Sequence, residues 1–326
     1  MSEPTAWGAG LAWTTRDGRT LDWWCPDPRL GGPPPEKDPW PGEAELAALR
    51  QLDSERQMER QVRRVTAVLD EPPTSPADAY LRLQLLSHRL VKPNELNLDG
   101  IFGLLENVAW TSVGPCAADT FERTRPLLEL VGRGPVRVYG VDKLPAMTDY
   151  VIPSGVRIAD SSRVRLGAYL APGTTVMQEG FINFNAGTLG ESMIEGRVSQ
   201  GVVIGAGADV GGGASIMGTL SGGGSVRISV GPRSLIGANA GIGISLGADC
   251  VVEAGLYITA GTKVAVTGPP SAVPSAAGPQ TRLVKAIELS GLDGLLFRRN
   301  SVTGTVEAIY RPDGIGTELN SELHAN

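Results

Sequence analysis

The sequence predicts a mainly β protein whose centre is a parallel β-helix of six-residue repeats, preceded by an α/β domain and followed by a small β extension. Three observations carry this reading. Aliphatic residues recur every six positions from about Ile152 to Val264, most of the 43 glycines fall between Gly155 and Gly261, and the residues before Tyr150 mix strand-like and helix-like periods. The boundaries follow as 1–146, 147–265 and 266–326.

The N-terminal segment AWGAGLAWTTRDGRTLDWWC alternates apolar and polar residues around Asp17-Gly18, which predicts a β-hairpin. GGPPPEKDPWPG, from Gly31 to Gly42, cannot continue a helix or a central strand and reads as a connector. Leu46, Leu49, Val62, Val65 and Leu69 fall at three- and four-residue spacings within a stretch read as one helix from about Glu43 to Leu69. A second helix starts at Ser75, with Pro76 at its first turn and Asp78 beyond, and runs to about Leu90. A third is expected near Asp119 to Val131, and a strand near Val136 to Val141.

The six-residue series reads Ile152, Ile158, Val164, Leu170, Val176 and Ile182, then Val198, Ile204, Val210 and Ile216, then Val230, Ile236 and Ile242, and finally Leu246, Val252, Ile258 and Val264. This period suits neither a free helix nor a free strand. It suits short strands joined by tight corners, each aliphatic residue pointing into a prism. Three faces per coil give roughly five to six coils, about 4.8 Å apart. The interruptions at Asn183 to Arg197 and Met217 to Ser229 are expected to be loops leaving the prism. Beyond Val264, the Pro/Ala/Ser/Gly stretch to Gln280 is expected to be a surface loop. TRLVKAIEL and LLFRRNSVTGTVEAIY follow as strands turning at Thr303-Gly304, and GTELNSELHAN is at most a short terminal helix.

Composition excludes several function classes. A formal charge of −6 disfavours nucleic acid as the main partner. No apolar run approaches a membrane span, no secretory signal opens the chain, and a cytoplasmic protein is expected. Cys25, Cys116 and Cys250 are odd in number and far apart, so they read as reduced, structural thiols. Two histidines, His88 and His324, leave none for catalysis on the β-helix.

MTDYVIPSGVRIAD, EGFINFNAGTLG, MIEGRVSQGVVIGAGADVGGGASIMGTLSGG and LFRRNSV resemble the tetrahydrodipicolinate N-succinyltransferases of actinobacterial type, within the hexapeptide acyltransferase superfamily. The resemblance covers Met147 to Ser301 closely and the N-terminal domain in outline. It implies a left-handed β-helix, a homotrimer, and transfer of a succinyl group from succinyl-CoA to the amine of ring-opened tetrahydrodipicolinate, in the route to diaminopimelate and lysine. An amine attacking a thioester needs proton removal and stabilisation of the developing oxyanion. The family positions implied for this are Glu195 and Gly218. Glu195 acts there as general base or as the carrier of an acyl anhydride. The plain alternative is a solvated loop carboxylate. A fully solvated glutamate accepts an ammonium proton poorly, so the base role needs a partly buried side chain.

Arg197 suits a carboxylate of the substrate or of the succinyl group, or else pairs with Glu195. Gly212 and Ser215 belong to a glycine-rich run that leaves the backbone open to a pantetheine arm. By the same resemblance Ala238, Glu253, Ala254 and Gly261 lie along the cofactor's path. Lys285, Arg298, Arg299, Asn300 and Ser301 supply the local basic group that coenzyme A phosphates require in an acidic chain. Adjacent on a strand, Arg298 and Arg299 would point to opposite faces. Glu179 matches a metal position near the trimer axis, taken as Mg²⁺, whose second acidic position is Ser162 here, with Asp160 close by. Two other classes stand beside this one. Another acyltransferase of the same fold would be favoured by a histidine base, which is missing from the helix, and a non-catalytic β-helix scaffold would release no thiol from any acyl-CoA.

Overall fold

A computed structural model describes residues 4–221, 225–267 and 282–311. The chain divides into two compact units, Met1–Ile152 with Arg165–Gly167 and Pro153–Val164 with Ala168–Asn326.

In the first unit, β1 (Thr5–Thr15) and β2 (Thr20–Trp24) form the expected antiparallel hairpin. Gly18 takes a φ of 91° at its turn, a conformation that side chains disfavour. After a short β3 (Arg29–Leu30), the connector from Gly31 to Gly42 contains neither helix nor strand. The long helix expected from Glu43 to Leu69 is replaced by a five-residue α1 (Glu43–Ala47), β4 (Gln51–Asp53) and an eleven-residue β5 (Met58–Val68). The spacings of three and four were coincidental. Val62, Val65, Thr66 and Val68 are β-branched, and β5 pairs with β1 along its whole length, from Thr5 opposite Val68 to Thr15 opposite Met58. The sheet runs β2-β1-β5-β4, with β3 against β1.

Next comes α2 (Pro76–Ser87), begun as predicted by Ser75, whose Oγ accepts the Asp78 amide at 3.2 Å. The helix is buried from Ala77 to Ser87, including Arg82. That guanidinium is tolerated because its donors are used. It pairs with Asp78 at 2.8 Å and donates to the carbonyls of Val68, Leu69, Glu71 and Asn97 at 2.7–3.1 Å. A short α3 (Ile101–Leu104) leads to β6 (Val108–Thr111), β7 (Gly114–Ala117), α4 (Phe121–Leu130) and β8 (Val138–Asp142), the last two close to where the sequence places them. The strands form a sheet in the order β7-β6-β8. Cys25, Cys116 and Cys250 are unpaired and buried, and burial pushes the Cys25 thiol up to about 12.

The second unit is a stack of coils with three parallel faces. On the first face lie Arg157–Ile158, Thr174–Val176, Ser192–Ile194, Ala208–Val210, Leu235–Ile236 and Val251–Val252, each bonded to the next. The second carries Phe181–Ile182, Arg197–Val198, Ser215–Ile216, Gly241–Ile242 and Tyr257–Ile258. The third carries Tyr169–Leu170, Gly187–Thr188, Val203–Ile204 and Ser229–Val230. From Val164 to Val264 every member of the aliphatic series is buried. Ile152 is not: it is 84% exposed, and the second unit begins only after it.

One of the two expected excursions is absent. Asn183 to Arg197 stays in the prism, where Thr188 takes the inward place six residues after Ile182 and Ile194 the next. A polar residue hid the period. Thr188 is fully buried, and its Oγ1 lies 2.6 Å from that of Thr174, also buried. The corner from Ile194 to Val198 is then two residues short, which shifted the register. The other excursion is present between Ile216 and Ser229, where Thr219 and Arg227 are bridged antiparallel and residues 222–224 lie outside the described residues.

Past the last coil, Leu295–Arg299 continues the first face by pairing in parallel with Val251–Val252. It forms a hairpin with Val306–Tyr310, turning near Gly304. Val306–Tyr310 pairs with Lys263–Thr267, which pairs with Arg282–Lys285. The loop expected up to Gln280 and the terminal GTELNSELHAN lie largely outside the described residues.

Candidate active site

The predicted site residues follow two borders of the second face. The border with the first face carries six of them, one coil above another: Glu179, Glu195, Gly212, Ala238, then Glu253 and Ala254. Backbone bonds fix the stacking, since the Asn239 amide donates to Gly212 O and the Gly255 amide to Ala238 O, each at 2.8 Å. Arg298 to Ser301 follow Phe297, which pairs with Val252, and so cap this border beyond the last coil.

Glu195 belongs to a two-residue corner, Glu195-Gly196, between Ser192–Ile194 and Arg197–Val198, and not to an excursion loop as expected. The corner is tight enough to require glycine. A Cβ on Gly196 would lie 2.7 Å from Ala214 O and 2.9 Å from Gly211 O. The Glu195 amide donates to Val210 O at 2.8 Å, and the side chain is half-buried. Its Oε2 would lie 3.8 Å from a Cβ on Gly212, so the carboxylate and the glycine run are near neighbours on adjacent coils.

Arg197 follows Phe181 in the outward row of the second face, opposite Ser215 on the next coil, and its guanidinium donates to Ser215 Oγ at 2.7 Å. The row continues through Gly241 to Tyr257. The Tyr257 ring lies over Gly241, where a Cβ would come 2.1 Å from Cε2, so a larger residue there would displace the ring.

Gly218 and Gly261 occupy the opposite border, between the second and third faces. A Cβ on Gly218 would meet Gln200 O at 2.7 Å, while one on Gly261 meets nothing within 4 Å. Lys285 joins this border, exposed, because the Ala286 amide donates to Thr262 O at 2.8 Å. The fold of one chain therefore does not set Gly218 beside Glu195.

The basic cap is partly engaged. Arg298 and Arg299 diverge as expected: Arg298 pairs with Glu307 at 2.9 Å, whereas Arg299 donates to Gly304 O at 3.1 Å. The Arg299 amide donates to the Glu253 carboxylate at 2.7 Å, so Glu253 ties the cap to the last coil. Asn300 donates to Glu307 at 2.9 Å and accepts from the amides of Val302 and Thr303, and Ser301 is exposed.

Glu179 is exposed on the same border, and among the described residues no group of three or more acidic, histidine or cysteine side chains could hold a metal ion. Asp160 is occupied by Ser162, whose amide and hydroxyl donate to it at 2.9 and 2.7 Å and hold its carboxyl below the usual range. The donors of a single chain do not fit a divalent cation.

A family model described as the middle of tetrahydrodipicolinate N-succinyltransferase matches residues 105–146, and one described as the hexapeptide repeat of succinyl-transferase matches 227–260. A 2,3,4,5-tetrahydropyridine-2,6-dicarboxylate N-succinyltransferase of Salinispora tropica is 60% identical over 99% of this chain and 98% of its own length. The enzyme of that name from Vibrio cholerae is 57% identical over 79% of this chain and 72% of its own. A crystal structure described as a 2,3,4,5-tetrahydropyridine-2-carboxylate N-succinyltransferase from Campylobacter jejuni superposes with a TM-score of 0.81 at 30% identity, covering 95% of this chain and 93% of that one. With the stacked coils, the glycine-rich border and relatives of this identity along nearly the whole sequence, the chain belongs to the tetrahydrodipicolinate N-succinyltransferase family.

Proposed function

We propose that this protein transfers the succinyl group of succinyl-CoA to the amino group of ring-opened tetrahydrodipicolinate, on the route to diaminopimelate and lysine. The observation that carries the reading is the 60% identity, over 99% of the chain, to a relative named for this reaction. In the transfer, the amine attacks the thioester carbonyl, a C–N bond forms, the C–S bond breaks, and the coenzyme leaves as its thiol. Glu195 removes the amine proton, or first accepts the acyl group as an anhydride, and its half-buried corner supports either role. Arg197, held by Ser215, is placed to pair with a carboxylate of the succinyl group or of the acceptor.

The cofactor's route is supported by the stacking. From Glu195 through Gly212, Ala238 and Ala254 to the arginine cap is four steps, roughly 19 Å at about 4.8 Å per coil. An extended thioester arm of that length would bring the acyl carbon to Glu195 while its phosphates meet Arg299, Asn300 and Ser301.

We further propose a left-handed helix and a homotrimer. The two borders of the second face each carry part of the machinery, which favours a site completed by Gly218, Gly261 and Lys285 of a neighbouring chain. A Mg²⁺ ion at Glu179 would have to draw on Glu179 of three chains and on water, and no step above uses one. The segments 1–146, 147–265 and 266–326 remain our functional division of the chain, with the last bearing the basic cap. Three buried, unpaired thiols favour a reducing compartment, the cytoplasm. The test is release of free thiol on mixing the enzyme with the cyclic imine and either succinyl-CoA or acetyl-CoA. Faster release with succinyl-CoA is expected. Equal rates would refute the donor assignment, and no release from either would refute the enzyme.

A further inference from the structure

The first unit holds a cavity that the transfer reaction leaves unused. Its volume is about 250 Å³, and Trp13, Trp24, Trp110, Tyr139 and Tyr150 line it together with Asp22. That is room for roughly eight waters at liquid density, or a small organic molecule. The aromatic wall is fixed in place. The Trp24 indole donates to Tyr150 O at 3.2 Å and the Trp110 indole to Asp142 O at 3.0 Å, and the rings of Trp110 and Tyr150 meet edge to face.

Asp22 is 6% exposed. Its carboxylate accepts from the Trp13 amide at 3.1 Å and from the Tyr150 hydroxyl at 2.8 Å, both uncharged donors. The nearby arginines are engaged elsewhere. Arg56 pairs with Asp53 at 3.0 Å, Arg60 donates to Leu49 O at 2.9 Å, and both guanidiniums lie over the Trp13 ring. Among the described residues no ion pair neutralises Asp22. A buried carboxylate without a counter-charge is costly, and aromatic faces attract cations and repel anions. The other charged lining residues are one cation and one carboxylate, Arg60 and Asp149.

We propose that this cavity binds a small organic cation, an ammonium or quaternary amine, with Asp22 as its counter-ion and the rings of Trp24, Trp110, Tyr139 and Tyr150 around it. An anion would face two carboxylates against one arginine already stacked on Trp13, and a neutral molecule would leave Asp22 without an ion-pair partner.

The test uses the full-length protein with choline and cadaverine as probes and 3,3-dimethylbutan-1-ol as the uncharged analogue of choline. Quenching of tryptophan fluorescence and titration calorimetry read binding. At least one cation should bind saturably, about tenfold or more tighter than the alcohol, since a desolvated cation–aromatic site is worth that margin. Asp22→Asn should weaken the cation by about tenfold. Tyr139→Ala, at a side chain 67% exposed, should weaken it by about threefold, with turnover in succinyl transfer unchanged. The proposal is overturned by failure of both cations to saturate up to about 50 mM. Equal affinity for the alcohol also overturns it, as does undiminished binding by folded Asp22→Asn. If Asp22→Asn does not fold, Tyr139→Ala decides: wild-type affinity in that variant refutes the site.

Discussion

Glu195 and Asp22 are carboxylates in opposite settings, and each makes a separate prediction. Glu195 sits at a corner, contributes nothing to the apolar prism and faces the glycine run, so Glu195→Gln should leave the thermal midpoint in place. Turnover should fall by about 100-fold to 10,000-fold, the usual loss for a positioned proton acceptor. Steady-state kinetics at saturating substrates check this, and retention of more than about a tenth of wild-type turnover removes Glu195 from the chemistry. Asp22 is pushed up to about 6 by burial, against the opposing pull of the Tyr150 hydroxyl, the Trp13 amide, and the charges of Arg56 and Arg60. Its folded state prefers the proton that the unfolded chain has already released. Its contribution to stability therefore falls as pH rises from about 4 to about 6 and stays low above that. Asp22→Asn, neutral throughout, should be more stable than wild type at pH 7.5 by up to about 3 kcal/mol and equal to it near pH 4, read by urea unfolding at the two values. Glu195 was legible only through the resemblance of its surrounding string. Asp22 carried no sequence signal, because its burial depends on Tyr150, distant in the chain.

At the scale of elements, the six-residue period was legible wherever the inward residue is aliphatic and failed where it is not. Thr188 interrupted the series inside an unbroken coil, and Ile152 satisfied the spacing while standing outside the prism. The helix expected over Glu43 to Leu69 failed for a different reason: spacing alone could not foresee the eleven-residue partner that β1 offers to β5. Ser75 and Pro76 placed the start of α2 correctly because a helix cap is a local device. What buries that helix is not local. Arg82 gathers Asp78 and four carbonyls from three segments, and Arg82→Leu would leave a buried carboxylate and several unsatisfied acceptors. A loss of about 3–5 kcal/mol is expected in denaturant unfolding of the variant. A corner glycine should behave differently. Gly196→Ala forces a Cβ against Ala214 O and Gly211 O, costing about 1–3 kcal/mol and displacing the adjacent Glu195. Its turnover should therefore fall even at temperatures where circular dichroism shows it folded.

For the whole molecule, the division of the site between two borders of one face predicts that activity and assembly are inseparable. Sedimentation at micromolar concentration should give a trimer, and active protein sedimenting as a monomer would refute the shared site. Mixing Glu195→Gln chains with Gly218→Val chains should restore part of the activity that neither variant has alone, because some interfaces then pair an intact Glu195 with an intact Gly218. The hidden Thr174–Thr188 contact bears on a problem peculiar to repetitive chains. Coils built from similar hexapeptides can stack on the wrong neighbour with little loss of apolar contact. Joined at 2.6 Å, the two hydroxyls mark the pair of coils that must adjoin, since a chain wound one coil out of step would seal the Thr188 hydroxyl in hydrocarbon and leave Thr174 only its local bond to Ala171 O. Thr188→Val should thus barely change the stability of molecules that fold correctly, while refolding from denaturant yields more trapped, inactive chains: a defect of threading, visible in recovered activity and silent in the melting curve.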